Sequence, residues 1–272
     1  MLRGLYAAAS GLEANIVNQD ALTENVAHAN VSGYRRQGAV FEPFEPVLAR
    51  ATAATPGVAL VAQGPRNTPP PPPPVPGGGG ELWGTRPSFI FTDFTPGGLL
   101  PTGNPLDLAA TDNSTWFVVD GPNGPLLTRN GQFTLDDRNR IITRSGLLVR
   151  GSAGQILVPP SATNINIGPE GLVAATIDGQ PVVIDTLLLA NVGNPTSMIR
   201  VGDTLFQGPV PNGPPLPGTV HIQQGYLEQP NQQVVTDMVG MLNGLRHYEA
   251  AQRALRSLSE ALALSTRPQA NG

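Results

Sequence analysis

Residues 2–30 read LRGLYAAASGLEANIVNQDALTENVAHAN, and within them Leu5, Ala8, Leu12, Asn15, Gln19, Leu22, Val26 and Ala29 fall at alternating spacings of three and four. That spacing places them on one face of a helix. The far end repeats it in Val234, Met238, Met241, Leu245, Tyr248, Gln252, Leu255, Ser259 and Leu262. At about 1.5 Å per residue each end makes a rod of roughly 40–50 Å, whose mostly apolar stripe has no evident seat on the middle of the chain. The stripes predict long terminal helices that pack as a coiled-coil layer, with neighbouring copies completing the burial. Leu5, Leu12, Gln19, Leu22 and Val26 from the first helix are the expected assembly interface, with Val234, Met238, Met241, Leu245, Tyr248, Gln252, Leu255 and Leu262 from the last.

Between the ends the pattern changes. Short apolar or alternating runs such as Trp116 to Val119, Leu126 to Arg129, Leu172 to Ile177 and Val182 to Ile184 are separated by Asn-Gly, Ser-Gly and Asp-Gly pairs. Those pairs accept positive φ and suit tight hairpin turns. The expected class is therefore α+β, with long N- and C-terminal helices forming a coiled-coil layer around a central all-β domain of sandwich or barrel type. The chain divides into an N-terminal helix over 1–33, a connecting segment over 34–83, the β domain over 84–226 and a C-terminal helix over 227–272. The connector holds a tract over 56–80 dominated by proline and glycine, including Pro69 to Pro74 and Gly77 to Gly80. It reads as a stiff polyproline spacer followed by a flexible joint.

Composition narrows the function. With 272 residues and 40% apolar content the chain can bury a core, yet aromatics are only 5%, so Leu, Val, Ile and Ala must fill it. The net charge of −4 is thinly spread and no basic stripe exists to neutralise phosphates, which argues against nucleic acid. All 16 basic residues are arginine, so neither a phosphate-loop lysine nor Schiff-base chemistry is available. There is no cysteine for disulfides or thiolate metal sites. No apolar run reaches the roughly 18 residues of a membrane span, so direct membrane insertion is not expected. Arg3 and the apolar run after it faintly resemble a secretory signal, but Glu13, Asn15 and Asn18 close the run and favour a mature helix.

Few residues suggest chemistry. His28, His221 and His247 lack second ligands at metal spacing, so neither a metal nor a cofactor is expected. Asp136 and Asp137 suit a hairpin turn. Asp107, Asp112 and Asp120 could be imagined as the carboxylates of a cell-wall hydrolase, but nothing sets one of them apart as a proton donor. Asn231 is the expected N-cap of the last helix. Arg35 and Arg36 read as an exposed loop pair that could reach acidic groups on an adjacent subunit.

The opening Met1 to Leu12, followed by Asn25 to Arg36 with Asn30, Gly33 and Tyr34, resembles the N-terminal signature of bacterial flagellar rod and hook proteins. Further matches follow in order at Thr102 to Ala109 with Gly103, Asn104 and Asp107, at Thr128 to Gly131, at Gln224 to Glu228 with Gly225 and Tyr226, and at Val235 to Ala250. The resemblance is closest to basal-body rod proteins of the FlgG and FlgF type, the distal and proximal rod subunits, with the distal favoured on the run Gln224 to Glu228. It implies a homo-oligomeric helical tube that carries torque across the periplasm. It also implies other rod proteins, the hook subunit and ring proteins as partners, and leaderless export through the flagellar type III apparatus. A surface adhesin on a coiled-coil stalk is the rival expectation, though its heptads would run in one continuous stalk.

Overall fold

The structure is a computed structural model that describes residues 2–43, 85–211, 218 and 220–265, so the tract over 56–80 lies outside the described residues. The chain forms two compact units. One comprises Met1–Ala27, Gln37–Thr92 and Gln233–Gly272; the other comprises His28–Arg36 and Asp93–Gln232.

The first unit carries the two α-helices of the described residues, α1 (Leu2–Ala27) and α2 (Val234–Ser265). It also holds an antiparallel hairpin of Gln37–Pro43 with Thr85–Thr92. Asn25, fully buried near the end of α1, anchors that hairpin like a short piece of strand: its Nδ2 donates to the Gln37 carbonyl and its Oδ1 accepts from the Gln37 N–H, both at 2.8 Å.

The coiled-coil layer expected of the terminal helices does not form. A coiled coil inserts large apolar knobs at its contact positions. Here the crossing is made by small and polar residues. Asn15, Gln19 and Leu22 face it from α1, and Gly244 is buried on α2. A Cβ at Gly244 would collide with the Gln19 amide, and one at Gly240 would lie 3.2 Å from Leu22. This closeness lets side chains reach backbone across the crossing. Asn15 Nδ2 donates to the Gly244 carbonyl at 2.6 Å, and Gln19 Nε2 to the Met241 carbonyl at 2.9 Å. The line of α2 that faces inward runs through Asp237, Met241, Gly244 and Tyr248, which leaves Met238 and Leu245 exposed.

Every strand pairing in the second unit is antiparallel. Its main sheet runs Leu189–Asn191, Thr115–Gly121, Gly124–Thr128, Leu205–Gln207 and Ile199–Arg200 in spatial order. Thr115–Gly121 is buried on both faces, which is why its sequence reads as an unbroken apolar run. Period-two alternation sends Phe117 and Val119 into one core with Leu108, Phe133 and Ile141. It sends Trp116 and Val118 into a second core with Phe94, Leu127 and Phe206. A three-stranded sheet of Thr163–Ile167, Leu172–Ile177 and Gln180–Thr186 and several two-stranded ladders complete the unit.

Glycine pairs mark two turns as predicted. Pro122-Asn123 turns between the first two long strands of the main sheet, where Gly124 pairs with Gly121, and Asp178-Gly179, both at positive φ, joins Leu172–Ile177 to Gln180–Thr186. Asn130-Gly131 behaves differently. Its Gly131 carbonyl accepts from the Leu108 N–H at 3.0 Å, so the pair seats a distant strand instead of closing a hairpin. In the 136–140 turn the Arg140 N–H donates to Asp136 Oδ1 at 2.8 Å, while the Arg140 guanidinium lies 2.6 Å from Oδ2. Those bonds hold the Asp136 carboxyl below the usual carboxylate range.

Candidate functional site: a buried arginine–glutamate clasp

The residues singled out in the sequence meet in the β unit. Gly225 is the meeting point: its carbonyl accepts from the Thr102 and Gly103 N–H groups at 2.8 and 3.1 Å, and its own N–H donates to the Asp107 carbonyl at 2.8 Å. Asn104 turns inward through Nδ2 onto Asp107 Oδ1 at 3.1 Å, with Asp107 itself buried. Tyr226 then opens the strand Tyr226–Glu228, which pairs with Leu99–Pro101. Thus Gly103, Asn104, Asp107, Gly225 and Tyr226, far apart in sequence, form one junction.

Beside it the segment over 28–36 folds onto the same strand. The Gly33 N–H donates to the Glu228 carbonyl at 2.8 Å. Gly33 sits at φ +69° so close to its neighbour that a Cβ would lie 2.6 Å from the Arg129 carbonyl oxygen, which explains why glycine stands here. Tyr34 is completely buried. His28 stacks on its ring at 4.8 Å and Arg200 covers it at 5.0 Å. His28 Nε2 lies 3.2 Å from Asp203, and Arg200 Nη2 donates to the Arg35 carbonyl. Asn30 remains exposed.

At the centre, two guanidinium groups share one carboxylate. Arg35 Nη2 lies 2.7 Å from Glu228 Oε1 and Arg129 Nε lies 2.8 Å from Oε2. The Arg35 and Arg129 side chains are 0% exposed and that of Glu228 1%. The two arginines are held unequally. Arg129 also donates to the Thr115 and Asp112 carbonyls and lies over the Trp116 ring at 5.5 Å. Arg35 Nε and Nη1, by contrast, find no acceptor among the described residues. Burial, followed by the proximity of Arg129, pushes the Arg35 guanidinium below its ordinary range, against the attraction of Glu228. The remaining Glu228 capacity goes to backbone, with the Gly97 N–H on Oε1 at 3.1 Å.

Asn231 extends the clasp and is not the N-cap of α2, which begins three residues later at Val234. Its Oδ1 accepts from the Arg36 N–H at 2.8 Å, and its Nδ2 donates to the Asp93 and Thr95 carbonyls. Arg35 and Arg36 are therefore no exposed pair: Arg35 is buried, and Arg36 is partly covered and lies 3.6 Å from Asp93. Sequence reading missed Arg129, Glu228 and Asn231 as site residues. Arg129 and Glu228 each sat inside a motif already singled out, and a charged residue next to motif glycines was the available signal.

The helical positions fall elsewhere. On α1, Leu12, Gln19, Leu22 and Val26 are partly buried. On α2, Val234, Met241, Tyr248, Gln252 and Leu255 are partly buried, whereas Met238 and Leu245 face solvent. The side chains of Leu5 and Leu262 lie outside the described residues. With Val235, Val239 and Leu242 the two exposed residues form a stripe at positions 235, 238, 239, 242 and 245, reaching 77% exposure at Val235 and 57% at Leu242. Ile16 on α1 is also exposed.

Each carboxylate considered for hydrolysis has a local task. Asp107 seats Asn104, Asp112 accepts from the Ser114 and Thr115 N–H groups, and Asp120 pairs with Arg150 at 2.6 Å. Among the described residues no group of three or more metal-ligating side chains occurs, and no helix is long and apolar enough to cross a membrane.

Comparison with known proteins agrees with the motifs. The family model described as flagellar hook protein FlgE/F/G D1 domain matches residues 110–175, and that described as flagellar basal body rod FlgEFG protein C-terminal matches residues 223–265. The flagellar basal-body rod protein FlgG of Buchnera aphidicola subsp. Schizaphis graminum is 28% identical over 96% of this chain and 98% of the relative. FlgG of Caulobacter vibrioides is 28% identical over 96% and 97%, and FlgF of the same organism is 22% identical over 89% and 87%. Two family models and relatives over nearly the whole chain thus make it similar to the bacterial flagellar basal-body rod proteins of the FlgG and FlgF type, and support a structural rod protein rather than an enzyme.

Proposed function

We propose that this chain is the distal rod subunit and that it self-associates through the exposed stripe of α2 into a helical rod crossing the periplasm. The observation that carries this reading is the apolar run Val235, Met238, Val239, Leu242 and Leu245, which presents one face of a long helix to water. A surface of that length and chemistry asks for a partner. Greater identity and coverage to FlgG than to FlgF supports the distal position. The other rod proteins, the hook subunit, ring proteins and the flagellar export apparatus are its proposed further partners.

Magnitudes say how it assembles. Covering five half-exposed apolar side chains contributes about 1 kcal/mol each, or about 5 kcal/mol per face. Association costs roughly 4–15 kcal/mol in lost freedom. One contact between two copies is close to break-even, so growth requires each incoming subunit to meet several neighbours at once. Sedimentation velocity over a concentration series checks this. The wild-type chain is expected to move from monomer to large species across a narrow concentration range, and Leu242→Glu to remain monomeric. A wild-type chain that stays monomeric at the highest accessible concentration would contradict self-assembly.

A further inference from the structure

The clasp gathers its partners from the whole length of the chain. Arg35 comes first, Arg129 follows, and Glu228, the one carboxylate among the described residues that touches both, arrives 99 residues after Arg129. The same late segment also receives the Gly33 and Gly97 N–H groups through Glu228, donates from Gln229 to Gly98, and holds Arg36, Asp93 and Thr95 through Asn231. Arg129 lies over Trp116, whose ring packs edge-on against Phe206 and Phe94 at 5.3 and 6.1 Å. Trp116 cannot enter that core without taking the Arg129 charge in with it. Arg35 brings a second positive charge to the same place. Burying guanidinium groups without a counter-charge is strongly unfavourable.

We propose that Glu228 gates closure of the β unit: the core around Trp116 stays open until the segment over 225–231 delivers its carboxylate. A chain that emerges N-terminus first, as from a ribosome, thereby holds its β unit open until the segment over 225–231 has been made. This goes beyond the rod reading and does not depend on it. It makes a kinetic statement, because a contact required for closure is already formed in the folding transition state.

The test is stopped-flow folding and unfolding of the full chain in a Trp83→Phe background, so that Trp116 alone reports. In Glu228→Gln most of the lost stability is expected on the refolding limb, with refolding slowed about fiftyfold or more and unfolding changed less than about threefold. Adding Arg35→Met removes one of the two charges left unpaired and is expected to restore most of the refolding rate. If the larger part of the change in Glu228→Gln falls on the unfolding limb, the clasp closes after the core and the gate is refuted. Should Glu228→Gln fail to fold, the Arg35→Met/Glu228→Gln chain decides: recovery of folding supports the gate, and its absence overturns it.

Discussion

Glu228→Gln is expected to lower the equilibrium stability of the β unit by about 3–5 kcal/mol, the cost typical of removing one partner of a buried ion pair. Glutamine keeps the shape and one acceptor, so packing is little changed and the loss reports charge. In the wild-type chain one carboxylate faces two guanidinium groups, both 0% exposed. In the variant both remain buried with no counter-charge among the described residues touching them. The two arginines then serve as internal comparisons. Arg129→Met loses hydrogen bonds to Glu228, Thr115 and Asp112, leaving two backbone carbonyls without that donor, and is expected to destabilise strongly. Arg35→Met removes a group whose Nε and Nη1 have no acceptor among the described residues, and whose burial disfavours its charge. Its loss is expected to be small, within about 1 kcal/mol of neutral. Urea denaturation of the three variants checks the order; equal losses at Arg35 and Arg129 would refute the unequal roles.

Gly33→Ala carries the second large effect, an expected loss of about 2–4 kcal/mol. Two costs act together there. The backbone is at φ +69°, and the new methyl would meet the Arg129 carbonyl carbon and oxygen and the Asn130 nitrogen, all of them backbone. Backbone held in the clasp cannot rotate away as a side chain can. Gly103 supplies the control: it has φ +72° but open space around its Cβ position, so Gly103→Ala is expected to cost only about 1 kcal/mol. Thermal denaturation of the pair measures the difference, which is the price of the close approach of the 28–36 segment to Arg129. Equal destabilisation of the two variants would mean that conformation alone sets the cost.

Local patterns were legible in the sequence where local physics decides them. The three-four spacing located both helices, and glycine pairs at 123–124 and 178–179 located two hairpins. What failed was the assumption that large apolar residues face the partner helix. Gly240 and Gly244 make the crossing against Leu22, Gln19 and Asn15, so the inward line of α2 passes through Gly244 and not Leu245, and the coiled-coil expectation fell with it. Strands of three residues such as Leu99–Pro101 and Tyr226–Glu228 are too short to carry a period and owe their pairing to distant partners. The clasp was hidden for a related reason. A charged side chain in a loop is ordinarily solvated, and only a counter-charge about a hundred residues away makes Arg129 an interior residue. The family motifs held the right residues without disclosing that they touch.

The proposal that the exposed stripe of α2 joins subunits in the rod is tested most directly in cells. Basal bodies would be purified from a deletion strain of the source bacterium complemented with either the wild-type chain or Val239→Glu/Leu242→Glu, and imaged by electron microscopy. The wild-type chain is expected to restore a complete rod and motility. The double variant, folded and present at the wild-type level, is expected to leave the rod truncated and the cells non-motile. Complete rods and normal swimming with the double variant would contradict the assignment of that helical face to the subunit contact.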